Sequence, residues 1–364
     1  MARIAVLSMF LGLALMFTAA ACSVPVFRWA LERWSADEYA LLVFHERPLS
    51  DAVAMQLRDL EQRARDAHAN LAVRAIDVTQ PIDEPHAAAW KQAQGGPLPG
   101  CVLLYPPGAH VSGQVWSGAL SELPLESLLD SPTRRELARR ILSGQSGVWL
   151  LLGSGDQAKD GAAKQLLTAQ IDHANQTLRL PDMTGDEVLE GPDAPDISKL
   201  RVEFSLLDVR RDDPAEALLV RMLLGTEPDL SGYQEAMAFP VYGRGRVLYA
   251  LIGQGINART VMKANAFLVG ECACEIKAEN PGTDLLMPVD WEKGIGDNAL
   301  IGAVELPPLP GTALPISAVS PDTSKPETGN GSPFVRNTVF VVAAALVLVA
   351  AGTMIRLVRH RSAN

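Results

Sequence analysis

Two hydrophobic rhythms alternate along the middle of the chain. YALLVFH, at residues 39–45, is an unbroken apolar run with the length of a buried strand. Ser50 can cap a helix after it, and Val53, Leu57, Leu60, Ala64 and Ala67 recur at the helical spacing that makes one apolar face. LAVRAIDV, at 71–78, returns to a strand pattern, and Pro85 opens a short Ala-rich helix that Gly95 and Gly96 stop. CVLLYPPGAHVSGQVWSG, at 101–118, reads as two strands around a Pro-Pro-Gly turn. Ser131 and Pro132 then open a helix, PTRRELARRILS, that ends at Gly144.

The same order follows again. VWLLLGSG (148–155) is the strand, and Ala163, Leu167, Ile171, Ala174 and Leu178 are the apolar face of its helix. An acidic, proline-containing insertion at 181–198 precedes RVEFSLLDV (201–209), in which Asp208 and Val209 stand where Asp77 and Val78 stood. Asp213, Pro214 and Glu216 form a capping box with proline at the first helical position, closed by Gly225. FPVYGRGRVLYALIG (239–253) is the proline-led strand pair and NARTVMKANAFLVG (257–270) the last helix.

Strand, helix, strand, helix, hairpin, helix, twice over, resembles the thioredoxin superfamily between Tyr39 and Gly270. The resemblance rests on element order and on Pro99 and Pro240, which occupy the place of that family's cis-proline before its antiparallel strand pair. It implies an α/β fold of two tandem thioredoxin-like units (β-α-β-α-β-β-α), at 22–145 and 146–304. The redox members keep Cys-x-x-Cys where the first strand meets its helix, because a helix N-terminus lowers a thiolate pKa. Here those places read FHERPLS and LGSGDQAKD, without cysteine. The resemblance therefore implies the fold and withholds its oxidoreductase activity. The stretch CSVPVFRWALERW, from Cys22, resembles the opening of a group of membrane-attached bacterial envelope proteins, which implies a location and no activity.

The ends speak of membranes. Residues 1–21 carry one charge, Arg3, then an apolar run and small residues up to Ala21, the pattern of a cleaved export signal. Residues 305–336 are rich in Pro, Gly and Ser and form an extended linker. TVFVVAAALVLVAAGTMI, at 338–355, has no charge and is long enough to span a bilayer, so 337–357 is expected to be a transmembrane helix. Arg356, Arg359 and Arg361 follow, and the positive-inside tendency puts the tail at 358–364 in the cytoplasm and everything from Cys22 to the linker outside. Asn330-Gly331-Ser332 fits a glycosylation sequon, a weak three-residue match in a chain with bacterial features.

The chain has 32 Lys and Arg against 42 Asp and Glu. Arg3, Arg356, Arg359 and Arg361 lie in the terminal segments, so the central part is more acidic still, a poor surface for nucleic acid. The expected partners are the membrane and another envelope protein or complex. The four cysteines carry the sharpest chemistry. Cys22 follows the small residues of the signal and is either a lipid anchor or a structural cysteine. Cys272 and Cys274 can form a disulfide, cycle as a redox pair, or bind a soft ion, although Glu271 and Glu275 beside them disfavour thiolates. Cys101 reads as a small buried strand residue.

GSGDQA, at 153–158, has the form of a dinucleotide fingerprint but no acid ends a second strand at the right distance, so Asp156 and Asp160 are expected to serve their own helix. His45 stands at a strand end with no nucleophile at a readable spacing. RRELARR, at 134–140, gives a basic helix face, read as solvated or contacting a neighbouring domain. No catalytic set, no metal site and no cofactor is legible. The expectation is a membrane-tethered interaction or scaffold protein of the envelope, with a thiol-redox or soft-metal protein acting through Cys272 and Cys274 as the alternative.

Overall fold

The computed structural model describes residues 22–84, 86–107, 113–183, 200–272 and 276–296. The segments expected to be a signal, linker, transmembrane helix and tail lie outside the described residues, as does Cys274. Among the described residues no helix is long and apolar enough to cross a membrane.

The fold is α/β, built on two main sheets. In the first, β2 (Tyr39–His45) pairs in parallel with β3 (Leu71–Asp77) and antiparallel with β4 (Gly100–Leu104), which pairs antiparallel with β5 (Gln114–Ala119). The order is β3-β2-β4-β5. Helix α2 (Asp51–Asp66) connects β2 to β3, and α3 (His86–Ala93) connects β3 to β4. Because strand side chains alternate between faces, Leu41, Val43, Cys101 and Leu103 meet Leu57, Leu60 and Ala64 of α2, whereas Leu42, Phe44 and Val102 face Ala89 of α3. Phe44 and Trp90 lie with ring centroids 5.2 Å apart on that second face.

The second sheet repeats the arrangement. β6 (Gly147–Leu152) pairs in parallel with β7 (Phe204–Val209) and antiparallel with β8 (Met237–Tyr242). Beyond β8 come β9 (Arg246–Val247) and β10 (Leu251–Ile252). Helices α6 (Gln157–Thr177) and α8 (Ala258–Val269) cover one face, where Leu167, Ile171, Val261, Ala264 and Leu268 pack on Trp149 and Leu151. Helix α7 (Ala217–Leu224) packs on the opposite face, against Leu150 and Phe239.

The two halves share one core. The cluster around Leu41 and Val43 is continuous with Val148, Leu150 and Leu152 of the second sheet and with Leu218, Leu219 and Leu223 of α7. Between the sheets also lie α4 (Leu125–Leu129) and α5 (Pro132–Leu142). Elements at both ends of the expected first unit, 22–145, pack on the second sheet. Helix α5 packs against β6 and β7 of the second sheet rather than closing the first. Its Arg140 donates to the Ser205 hydroxyl at 2.9 Å and the Leu206 carbonyl at 3.0 Å. Part of the basic face therefore serves a contact between the halves.

The N-terminal segment also crosses over. Strand β1 (Cys22–Pro25) pairs with β11 (Glu271–Cys272), and α1 (Val26–Arg33) buries Phe27, Trp29 and Ala30 in the core of the second sheet. Trp34 meets Tyr242 edge to face at 6.4 Å. In exchange, the C-terminal segment leaves the second sheet for the first. β12 (Thr283–Asp284) pairs with β9, and then Asn70 at the start of β3 donates to the Leu285 carbonyl and accepts from the Met287 amide.

A buried ion network ties the crossings together. Arg246 pairs with Asp284 at 2.9 Å, both almost wholly buried, and Lys277 bonds both Asp284 and Asp37, the latter at 2.8 Å. The Tyr39 hydroxyl donates to the Asp284 carbonyl at 2.7 Å. Burial first, and the neighbouring Tyr105 and Asp284 next, hold the Tyr39 phenol well above its usual range.

Candidate binding cleft at the end of β2

The two positions where a strand runs into its helix differ sharply. In the first half, β2 ends at His45 and the chain turns through Glu46, Arg47, Pro48 and Leu49 to Ser50, whose hydroxyl accepts from the Val53 amide and starts α2. Beside this turn the Leu98–Pro99 peptide bond is cis. Together they line a cavity of about 370 Å³. Leu98 is 38% exposed there, an apolar side chain presented to the opening. His45 Nδ1 lies 3.0 Å from the Arg47 carbonyl oxygen.

His45 is also the register partner of Asp77 at the end of β3. The Asp77 carboxylate accepts from the hydroxyl and the amide of Thr79, which lowers its pKa, with a smaller contribution from His45. The opening is thus lined by a histidine, the Glu46 carboxylate and the Arg47 guanidinium, with no thiol among the described lining residues. Ser50 is engaged in its cap, so the cleft presents polar groups and an apolar lip rather than an activated nucleophile.

In the second half the matching turn is filled by the protein itself. The Asp160 carboxylate accepts from the Ser154 amide at 2.7 Å, the Ser154 hydroxyl at 2.6 Å and the Gly155 amide at 3.0 Å. Burial opposes ionisation of Asp160, but these hydrogen bonds prevail and hold its pKa below the ordinary value. Asp156 caps α6 by accepting from Ala158 and Lys159. Amides that a phosphate would need are therefore taken, as the charged residues after the glycines led one to expect. Arg211 closes the loop from outside, donating to the Gly153 and Glu235 carbonyls.

The remaining sites separate. Pro240 is not preceded by a cis bond; it lies inside β8 opposite Trp149. Its missing N–H falls where β10 pairs only with Met237 and Ala238, and β9 only with Val241 and Tyr242, so the proline occupies the gap between two short partner strands. Cys101 is buried in β4 opposite Val43, and burial pushes its thiol up to about 12. Cys272 is buried in β11, with Cys22 as its register partner, far in sequence from the first-half cleft. Among the described residues no group of His, Cys, Asp and Glu could hold a metal ion.

The ion network of Asp37, Arg246, Lys277 and Asp284 left no local trace in the sequence. Its members come from three distant segments and none belongs to a motif. Comparison with protein-family models finds none that matches the chain, and no curated protein matches it.

Proposed function

We propose that the chain is a membrane-tethered, extracytoplasmic interaction protein of the bacterial envelope, in which two thioredoxin-like units without redox cysteines form one body. The supporting observation is the contrast between the two strand-to-helix turns. One is closed on Asp160, and the other is an open cleft beside cis-Pro99, lined by His45, Glu46, Arg47, Leu49 and Leu98. A cleft with charged walls, an apolar lip and no thiol suits reversible binding of a segment of another envelope protein. The transmembrane helix at 337–357 holds this body at the membrane and leaves the tail inside.

Two measurements test the reading. A photo-crosslinking residue at Leu98 of the full chain in membranes should capture a discrete protein, and one at exposed Met55 on the outer side of α2 should not. Equal capture at both positions, or none at Leu98, overturns the binding role of the cleft. A topology reporter after Asn364 should be cytoplasmic and one near Gly311 exported; both on one side would overturn the single span.

A further inference from the structure

Strand β1 holds Cys22 and strand β11 holds Cys272, and the two are Cα partners across an antiparallel pair whose register shifts between Cys22 and Pro25. Directly opposed residues of such a pair have Cα atoms about 4.5–5.5 Å apart. That separation lies inside the window of about 4.4–6.8 Å over which a disulfide closes without moving the backbone. Cys272 is 1% exposed and packed in the core of the second sheet with Val24, Val26 and Phe27. The Val26 amide donates to the Gly270 carbonyl at 3.0 Å, so the pairing continues into the start of α1.

We infer that Cys22 and Cys272 form a cross-strand disulfide that staples the N-terminal strand to the end of α8. The pairing within Cys272-Ala-Cys274 closes a three-residue ring and restrains little of the unfolded chain. The Cys22–Cys272 bond closes a loop that contains nearly the whole folded body, so it restrains the unfolded chain far more. It also gives the crossing of β1 and α1 onto the second sheet a covalent clasp. The cysteine at the end of the export signal is then occupied by sulfur rather than by a lipid thioether, and the C-terminal apolar stretch is the sole tether.

The step balances as two thiol–disulfide exchanges. One thiolate attacks the disulfide of an oxidant, a dithiol-disulfide donor of the extracytoplasmic compartment, and forms a mixed disulfide. The second thiolate displaces the donor. Two protons and two electrons leave with it as the donor becomes a dithiol. This rests on the proposed export, since thiols inside the cell are kept reduced.

The test is peptide mapping by mass spectrometry of the full chain taken from membranes with thiols trapped by an alkylating reagent. A peptide containing Cys22 joined to the one containing Cys272 and Cys274 is expected, with the link retained in Cys274→Ser and lost in Cys272→Ser. An acylated Cys22, a Cys272–Cys274 bond, or a link that survives in Cys272→Ser overturns the proposal. If both thiols are alkylated in membranes but oxidised glutathione joins them in the purified chain, the export reading and the native bond fail while the register stands. If oxidised glutathione joins nothing, the juxtaposition itself fails.

Discussion

Asp284 is the buried centre of the ion network. Its carboxylate meets Arg246 and Lys277 and accepts from the Asp37 amide, and its side chain is 3% exposed. Removing one member of such a group strands buried charge. Asp284→Ala should therefore cost about 3–5 kcal/mol in urea denaturation, well above the near-zero effect of most exposed ion pairs. Gly225 is a second position where one residue decides. A Cβ there would collide with the Tyr105 hydroxyl, which itself donates to the Arg221 carbonyl in the last turn of α7 at 2.8 Å. Gly225→Ala should cost about 1–3 kcal/mol by forcing Tyr105 out of its site, and Tyr105→Phe about 1 kcal/mol by removing its hydrogen bond. Gly225 was legible as a helix stop. That it is also the seat of a tyrosine from the other half was not, because the contact spans more than a hundred residues.

Helix α2 was the most readable element, and its packing explains why. Leu57, Leu60 and Ala64 are the buried face that the spacing announces, while Met55 on the other side is 62% exposed. Leu60→Ala should cost about 2–5 kcal/mol and Met55→Ala no more than about 0.5 kcal/mol by the same denaturation assay. Helix α5 carries a pH signature. The Glu136 carboxylate accepts from Arg139 and Arg140, and these hydrogen bonds hold it down to about 2. A carboxylate with a depressed folded pKa stabilises the fold above its unfolded pKa of 4.5 and loses that contribution as pH falls towards 2. Glu136→Gln should therefore lower stability by a constant amount above the unfolded pKa of 4.5 and flatten the acid-induced loss below it. Strands β2, β3, β4, β6, β7 and β8 and helices α5 to α8 follow the hydrophobic pattern closely. Elements β1, α1 and β12 escaped assignment to their partners because periodicity reports which face is buried and says nothing about what buries it. The cleft was legible only as a place in the element order, since its lip at Leu98 and its walls at His45 and Arg47 meet through tertiary contacts.

At the scale of the whole molecule the repeat that the sequence displays is not a boundary. Each half gives a segment to the other: β1 and α1 go to the second sheet, and the stretch around Leu285 and Met287 goes to the first. Between them the apolar layer from Leu41 to Leu223 is shared. A chain cut after residue 145 would leave residues 22–145 with α1 and α5 facing water instead of the second sheet. The first sheet would also lose Leu219 and Leu223 of α7 from its core. The other fragment would lose Phe27, Trp29 and Ala30, each at most 7% exposed in the intact protein. Aromatic side chains of this size contribute about 1.5–3 kcal/mol each on full burial, and a domain has only about 5–15 kcal/mol of net stability to lose. Neither fragment alone should then show a cooperative melting transition, whereas the intact body should unfold in one step with coincident near-ultraviolet and far-ultraviolet signals. Mixing the two fragments should restore that transition in a concentration-dependent way. Two independent transitions in the intact chain, or a folded fragment of residues 22–145 by itself, would show that the halves are separable after all.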